Sequence, residues 1–269
     1  MKTILVHIEP DAGQEARLQA AFDLARAFGG HLACLQVTPY AAYAVGEPAM
    51  GAFPVTALIE AIEAQRNTER NAVEARLQAE TVNWNWLSRD GSAAERLSEA
   101  ARLADVVVLN SGPFAGSGSV QMRLTGDVAI NAPTLICAVP EASAGFAVTG
   151  TALIAWDGSQ EAAIAMRAAL PILQLAESVD LLTVTEKHSD FPARDAATWL
   201  ARHGVNAAVI ERGDAGDGVE AVIRAVITER RSAFLVLGAY GHSRLRETLF
   251  GGVTLGLLTN APVPLLMAH

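Results

Sequence analysis

The chain has 269 residues, which is enough for one large domain or two small ones. Its 51% apolar and 18% charged residues exclude a disordered protein. The net charge of −9 argues against a surface for nucleic acids or anionic lipids, and no apolar run reaches the roughly 18 residues of a membrane span.

Apolar strand-like segments alternate with helical segments through the first half. The opening run, residues 4–8, is interrupted by Glu9 and Asp11 without a cleavage-site pattern, so it is predicted to be a strand and not a signal peptide. The other predicted strands are 32–37, 82–87, 106–109 and 135–139, and the predicted helices are 14–28, 56–80, 93–103 and 126–130. Cys34 and Cys137 lie in two of these strands, and we expect buried, reduced thiols in a cytoplasmic protein.

The second half repeats the alternation. Its predicted strands are 152–156, 179–184, 207–210, 234–237 and 265–268, and its predicted helices are 160–177, 192–203, 219–229 and 253–258. Ser159 is a candidate N-cap, and Pro171 predicts a kink or break near Leu170. Strands that are almost wholly apolar and joined by helices predict a parallel sheet covered on both faces.

Three short matches between the halves indicate an internal repeat. Residues 35–38 match 182–185 at an offset of 147, 107–109 match 235–237 at 128, and 131–133 match 260–262 at 129. The fall in offset from 147 to 129 places about 18 extra residues of the first half between residues 38 and 107. A linker of small residues at 141–145 separates the units, so the predicted domains are residues 1–143 and 147–269.

The most informative motif lies near the end of the second unit, where an apolar run ends in Gly238 and Gly241. Nine residues later, Gly251 and Gly252 precede an apolar helical segment. Glycines let the backbone approach an anion closely, and a helix N-terminus presents unpaired N–H groups. The spacing G-x2-G-x9-G therefore indicates a phosphate-binding loop that differs from the dinucleotide fingerprint and from the P-loop.

This spacing resembles the nucleotide-binding loop of the universal stress protein family. Residues 153–159 are similar to that family's opening strand and acidic turn, and residues 260–269 to its closing helix end and last strand. The resemblance is closer over residues 150–269 than over 1–140. It implies an α/β fold of two tandem, doubly wound, five-stranded parallel-sheet domains of the adenine-nucleotide α-hydrolase-like type.

The resemblance also implies that the second unit binds ATP, with or without Mg²⁺. Asp157, Gly238, Gly241 and Gly251 fall on the family's nucleotide-binding positions, and Val184 falls near its adenine-contacting strand end. In such sheets, ligands bind beyond the carboxyl ends of the strands, at the point where the strand order reverses. We therefore expect these residues to meet at one edge of the sheet.

The position after Gly251 departs from the family pattern. The family's nucleotide-binding members usually carry Ser or Thr there, whereas this chain has Gly252 and lacks a side-chain hydrogen bond of roughly 1.5–3 kcal/mol to a charged group. Thr254 could supply a hydroxyl if the loop is shifted, and Arg244 could contact phosphates through its charge and reach. ATP binding and a purely structural tight turn both stay open.

The first unit departs further from the pattern. Asn110 stands where the second unit has Gly238, and Met122 and Arg123 stand at the positions of the second glycine pair. We expect this unit to serve as a scaffold, or to bind a different ligand beneath the loop at 40–53.

Three classes of function follow. The first is a stress-response or signalling protein that binds ATP with little or no catalysis, at most slow hydrolysis. The second is a nucleotide-free interaction or scaffold protein of the same fold. The third, an enzyme of the wider α-hydrolase-like group, is disfavoured because residues 157–160 lack the S-G-G-x-D-S loop. The six histidines show no metal-ligand spacing, so neither a metal site nor a catalytic residue is predicted.

The resemblance implies that single-unit family members pair through their final strands. Strands 135–139 and 265–268 are therefore predicted to pair within one chain, as an intramolecular pseudo-dimer that removes both sheet edges. Besides an adenine nucleotide, an unidentified protein partner is expected and a homodimer stays open. Nucleic acids and membranes are not expected as partners.

Overall fold

The fold was obtained as a computed structural model, which describes residues 1–40, 55–112, 118–184, 191–213, 216, 218–239 and 252–269. Strands and helices alternate in both halves. The first half contains β1 (Thr3–Ile8), α1 (Gln14–Phe28), β2 (His31–Thr38), α2 (Val55–Gln78), β3 (Asn83–Asp90), α3 (Ala93–Ala100), a 3₁₀ turn (Ala101–Leu103), β4 (Val106–Ser111), α4 (Gly118–Asn131) and β5 (Leu135–Pro140). The second half contains β6 (Ala152–Ala155), α5 (Gln160–Leu173), β7 (Val179–Val184), α6 (Ala193–Arg202), β8 (Ala207–Arg212), α7 (Val219–Arg230), β9 (Phe234–Gly238), α8 (Gly252–Thr259) and β10 (Leu265–Ala268).

The ten strands of the described residues form one sheet in the order β3-β2-β1-β4-β5-β10-β9-β6-β7-β8. Neighbouring strands within each half are parallel, and the two halves meet where β5 and β10 pair antiparallel. At this seam Leu266 lies opposite Cys137, and Met267 lies opposite Ile136. The doubly wound α/β fold and the pairing of the two final strands within one chain are therefore confirmed.

Apolar side chains cover both faces of the sheet. Successive residues of β1 alternate between two buried clusters, with Ile4 and Val6 in one cluster and Leu5 in the other. This alternation follows from the two-residue period of a strand, and both clusters continue through the second half. Cys34 and Cys137 are free thiols in the first cluster, and burial raises the pKa of the Cys34 thiol to about 12.

Two predicted helices have different limits. Helix α4 begins at Gly118 instead of 126, so more of the preceding loop is helical than the pattern indicated. Helix α5 does not break near Leu170; it continues through Pro171 to Leu173 and ends short of residue 177. The helix survives because Pro171 lies in the last turn, where the amide of Gln174 still donates to the carbonyl of Leu170 at 2.9 Å.

Among the helices in the described part of the chain, none has both the length and the apolar content needed to cross a bilayer.

Candidate functional site

The carboxyl ends of β9, β6 and β7 lie side by side at one edge of the sheet. The strand order reverses between β6 and β9, because the chain leaves β6 toward β7 and returns to the other side of β6 through β9. Asp157 follows β6, Val184 ends β7 and Gly238 ends β9. The structure thus brings these three predicted site residues to a single edge, while Gly241, Arg244 and Gly251 lie outside the described residues.

A tight turn joins β6 to α5 at this edge. The Asp157 carboxylate accepts a hydrogen bond from the Ser159 amide at 2.9 Å, and Gly158 has a φ of 76°. The Ser159 hydroxyl then accepts a hydrogen bond from the Ala162 amide at 3.1 Å, which confirms Ser159 as the N-cap of α5. The turn consequently places an exposed carboxylate and a helix N-terminus at the switch point.

Gly238 has a packing role in addition to the predicted ligand contact. A Cβ at this position would lie 2.5 Å from the Ala162 nitrogen and 2.7 Å from the Glu161 carbonyl carbon. Both are backbone atoms of the first turn of α5, so a side chain could be accommodated only if the helix moved. Glycine at the end of β9 is therefore what allows α5 to begin so close to the predicted phosphate loop.

Helix α8 begins at Gly252, one residue before the start that the sequence predicted. Gly252 is exposed, and a Cβ added there would meet no described atom within 4 Å. Thr254 is only 7% exposed and lies in the buried part of the first turn. Thr125, its counterpart at the repeat offset of 129, donates its hydroxyl to the Asn110 carbonyl at 2.7 Å. The position of Thr254 thus resembles that of a structural threonine in the first half.

The corresponding edge of the first half is filled by Asn110. Its side-chain amide donates to the carbonyls of Gly13 at 3.0 Å and Val139 at 3.2 Å, and the residue is 3% exposed. A Cβ on Gly13 would lie 2.4 Å from the Asn110 Nδ2. In the first half the glycine, Gly13, thus precedes the helix, and the side chain that it faces belongs to the strand. In the second half the glycine, Gly238, belongs to the strand and faces the first turn of the helix.

Arg17 locks the turn after β1. Its side chain is 1% exposed, and the guanidinium donates to both carboxylate oxygens of Asp11 at 3.1 and 3.2 Å. It also donates to the backbone carbonyls of His7 at 2.7 Å and Glu9 at 2.8 Å. The turn after β1 thus binds the Arg17 guanidinium, because its N–H groups reach the Asp11 carboxylate and both carbonyls.

Arg66, from the long helix α2, covers the end of β2. It donates to the Val37 carbonyl at 3.3 Å and to the carboxylates of Glu9 at 3.4 Å and Glu69 at 3.1 Å. Val37 is the counterpart of Val184 at the offset of 147. Arg66 therefore donates to the backbone carbonyl that corresponds to the predicted adenine contact. The cavity left beside Glu9 and Arg66 is about 100 Å³, below the roughly 300 Å³ of a typical small-molecule pocket. Among the described residues of the first half, Arg66 therefore covers the end of β2, and the cavity beside it is too small for a nucleotide.

A family model supports this reading of the fold. Residues 1–130 match the model described as "Universal stress protein family". The first half of the chain thus matches the universal stress protein family. The sequence pattern predicted a closer resemblance over residues 150–269. The match instead covers the first half, which has fewer of the family's loop glycines.

Two solved structures extend the universal stress protein fold to the whole chain. A universal stress protein from Archaeoglobus fulgidus DSM 4304 superimposes with a TM-score of 0.73 at 12% identity, over 99% of this chain and 95% of that one. A functionally unknown protein from Pseudomonas aeruginosa PAO1 superimposes with a TM-score of 0.59 at 17% identity, over 100% of this chain and 92% of that one. At these identities the likeness concerns the fold alone. No curated protein matches the chain.

The sequence analysis missed the roles of Arg17 and Arg66. A signal for Arg17 was present, because Ala20, Ala21 and Leu24 follow it at the spacing of one buried helix face. An arginine on such a face needs buried acceptors. Arg66 gave no comparable signal, since it lies among polar residues of α2 and only the tertiary fold brings it to Val37.

A buried histidine in this first half predicts how stability depends on pH. His7 is 3% exposed and its Nε2 has no hydrogen-bond partner. Burial, with the nearby charges of Arg17 and Arg66, lowers the His7 pKa from 6.5 to about 3. As the pH falls below 6.5, the unfolded chain takes up the proton first, so this histidine destabilises the fold progressively between pH 6.5 and 3.

The unfolding free energy of the wild type should fall as the pH drops from 7 to 5. We expect this fall to be about 2 kcal/mol smaller in His7→Leu, because leucine takes up no proton. Urea unfolding at both pH values, followed by circular dichroism, measures this difference. His31→Leu is the matched control, because it makes the same substitution at a histidine that is exposed. An unchanged pH dependence in His7→Leu would show that the His7 pKa does not differ between the folded and unfolded chain.

Proposed function

We propose that the second half binds ATP at the edge formed by β6, β7 and β9, in a stress-response or signalling role. The observation that carries this proposal is the convergence of the Asp157 turn, the end of β7 at Val184 and the glycine end of β9 at one switch point. The carboxylate can accept hydrogen bonds from a ribose or hold a metal-bound water, and the strand end can read the adenine edge. The start of α8 can then receive the phosphates.

The predicted loop completes this proposal. Gly241, Gly251 and Arg244 would provide backbone amides and a guanidinium for the phosphates, with Mg²⁺ as an optional companion. We expect ATP to be held more than turned over, with hydrolysis slow at most. The buried thiols Cys34 and Cys137 suit a reducing compartment, and we place the protein in the cytoplasm.

The stoichiometry should be one nucleotide per chain. In the first half, Asn110 fills the junction at β4, Arg17 binds the acidic turn and Arg66 covers the end of β2. Three internal side chains thus take the positions at which a second nucleotide would be held. These contacts make the first half a partner that completes the sheet through β5 and β10.

Gly252 offers a direct test of ATP binding. We expect calorimetry with ATP and Mg²⁺ to show one micromolar site per chain in the wild type. Gly252→Ser should bind ATP about tenfold more tightly, because a hydroxyl can donate to a phosphate and the open surroundings accept the side chain. Gly252→Ala is the matched control, since it adds the Cβ without the hydroxyl and should keep the wild-type affinity.

A nucleotide-free interaction protein is the second candidate, favoured by the missing hydroxyl at Gly252. Neither the wild type nor Gly252→Ser would then bind ATP up to millimolar concentration. Two nucleotides per chain would instead contradict the self-filled first half.

A further inference from the structure

An aromatic side chain stands exposed beside the edge described above. Phe191 is 62% exposed, whereas Phe22, Phe146 and Phe234 are at most 3% exposed. Leaving such a side chain in water forgoes roughly 1.5–3 kcal/mol of burial. The ring therefore adds little to the core, and its position determines what it can contact.

Trp156 fixes that position. Its indole N–H donates to the Phe191 carbonyl at 2.9 Å, and the indole itself is buried against the cluster on the α5 and α6 side of the sheet. The Trp156 amide donates to the Leu182 carbonyl at 2.8 Å, which extends the β6–β7 ladder by one residue. Because Asp157 follows Trp156 directly, the backbone of Phe191 is tied to the same strand end as the predicted ribose partner.

The backbone that follows Phe191 is held by the start of α6. Pro192 follows it as the N-cap of α6, in an extended conformation with φ −67° and ψ 150°. The Asp195 amide donates to the Pro192 carbonyl at 2.9 Å, so the start of α6 is a closed turn. The backbone from the Phe191 carbonyl onward is thus held by Trp156 and by the start of α6, which lowers the backbone entropy lost when a ligand contacts the exposed ring.

We infer that Phe191 is a stacking platform for the purine base of the nucleotide bound in the second half. This inference rests on the proposed ATP site and adds a residue that determines affinity for the base. Phenylalanine has a flat apolar face, and every base offers a matching π-face, so the contact favours a base without selecting among purines by hydrogen bonds. Base selection would remain with the backbone at the end of β7.

The test compares three replacements at Phe191 by calorimetry with ATP. Phe191→Ala and Phe191→Leu should weaken ATP binding about tenfold, whereas Phe191→Tyr should keep the wild-type affinity because it keeps the ring. Leucine separates stacking from apolar bulk. Leu103→Ala is the control for loss of an exposed apolar side chain; Leu103 is 89% exposed and precedes β4, at the opposite edge of the sheet.

Inorganic tripolyphosphate, which lacks a base, provides the second arm. Its affinity should be the same in the wild type and in Phe191→Ala. Equal ATP affinity in the wild type, Phe191→Ala and Phe191→Leu would overturn the stacking role while the ATP site stands. An equal loss of ATP and tripolyphosphate binding would overturn it too, since the ring would then act on the phosphate loop. Failure of the wild type to bind ATP would instead overturn the proposed function itself.

Discussion

Leu266→Asp should abolish cooperative folding or cost more than about 4 kcal/mol of unfolding free energy. Leu266 is fully buried in β10, opposite Cys137 of β5, so the new carboxylate would enter the seam between the two halves without a partner. The cost combines the lost burial of leucine with the desolvation of a charge. Urea unfolding followed by far-ultraviolet circular dichroism measures it.

Two companion variants keep this experiment decisive. Leu266→Ala should fold with a loss of about 2–5 kcal/mol, since it leaves a cavity and adds no charge. Leu103→Asp should change stability by less than about 0.5 kcal/mol, because that side chain is 89% exposed. If Leu266→Asp were as stable as Leu103→Asp, the seam between β5 and β10 would not be part of the folded core.

Arg17→Ala should lower the unfolding free energy by about 3–5 kcal/mol. The substitution removes the guanidinium that donates to the Asp11 carboxylate, which is 12% exposed, and it removes the donors to the carbonyls of His7 and Glu9. Arg17→Lys should recover only part of this loss, because an ammonium cannot reproduce the planar fork. Chemical unfolding at pH 7 compares the variants.

Arg212→Ala is the matched control for Arg17. Arg212 pairs with Glu229, but both side chains are about half exposed, at 44% and 54%. Removing an exposed pair of this kind should cost less than about 1 kcal/mol. A similar cost for the two arginines would mean that the buried clamp adds no more than a surface ion pair.

The two halves show how one fold can have two different edges. At the end of β9, Gly238 lets the first turn of α5 approach. At the end of β4, Asn110 takes the corresponding space and Gly13 makes room for it. Where the end of a strand meets the start of a helix in this way, a large side chain fits on one element only if the residue that faces it is glycine. The space at this contact is therefore filled by a side chain in the first half and by the first turn of α5 in the second.

The amino-acid sequence alone determined most of the fold. Strand positions followed from short apolar runs, because a strand buried on both faces needs apolar residues at every position. The family resemblance, together with the internal repeat, then predicted that the two final strands pair, and the structure confirmed this pairing. The N-cap at Ser159 was also predictable, since capping depends on residues only three apart.

The tertiary structure decided in which half side chains cover the carboxyl ends of the strands, and which side chains these are. Arg66 and Val37 are 29 residues apart in the chain, and Asn110 and Gly13 are 97 apart, so no local pattern links either pair. The same holds for Trp156 and Phe191, which are 35 residues apart and meet only when β6 and α6 have packed. Local sequence determines which backbone conformation each segment adopts, whereas contacts between distant side chains depend on how the finished elements are placed in space.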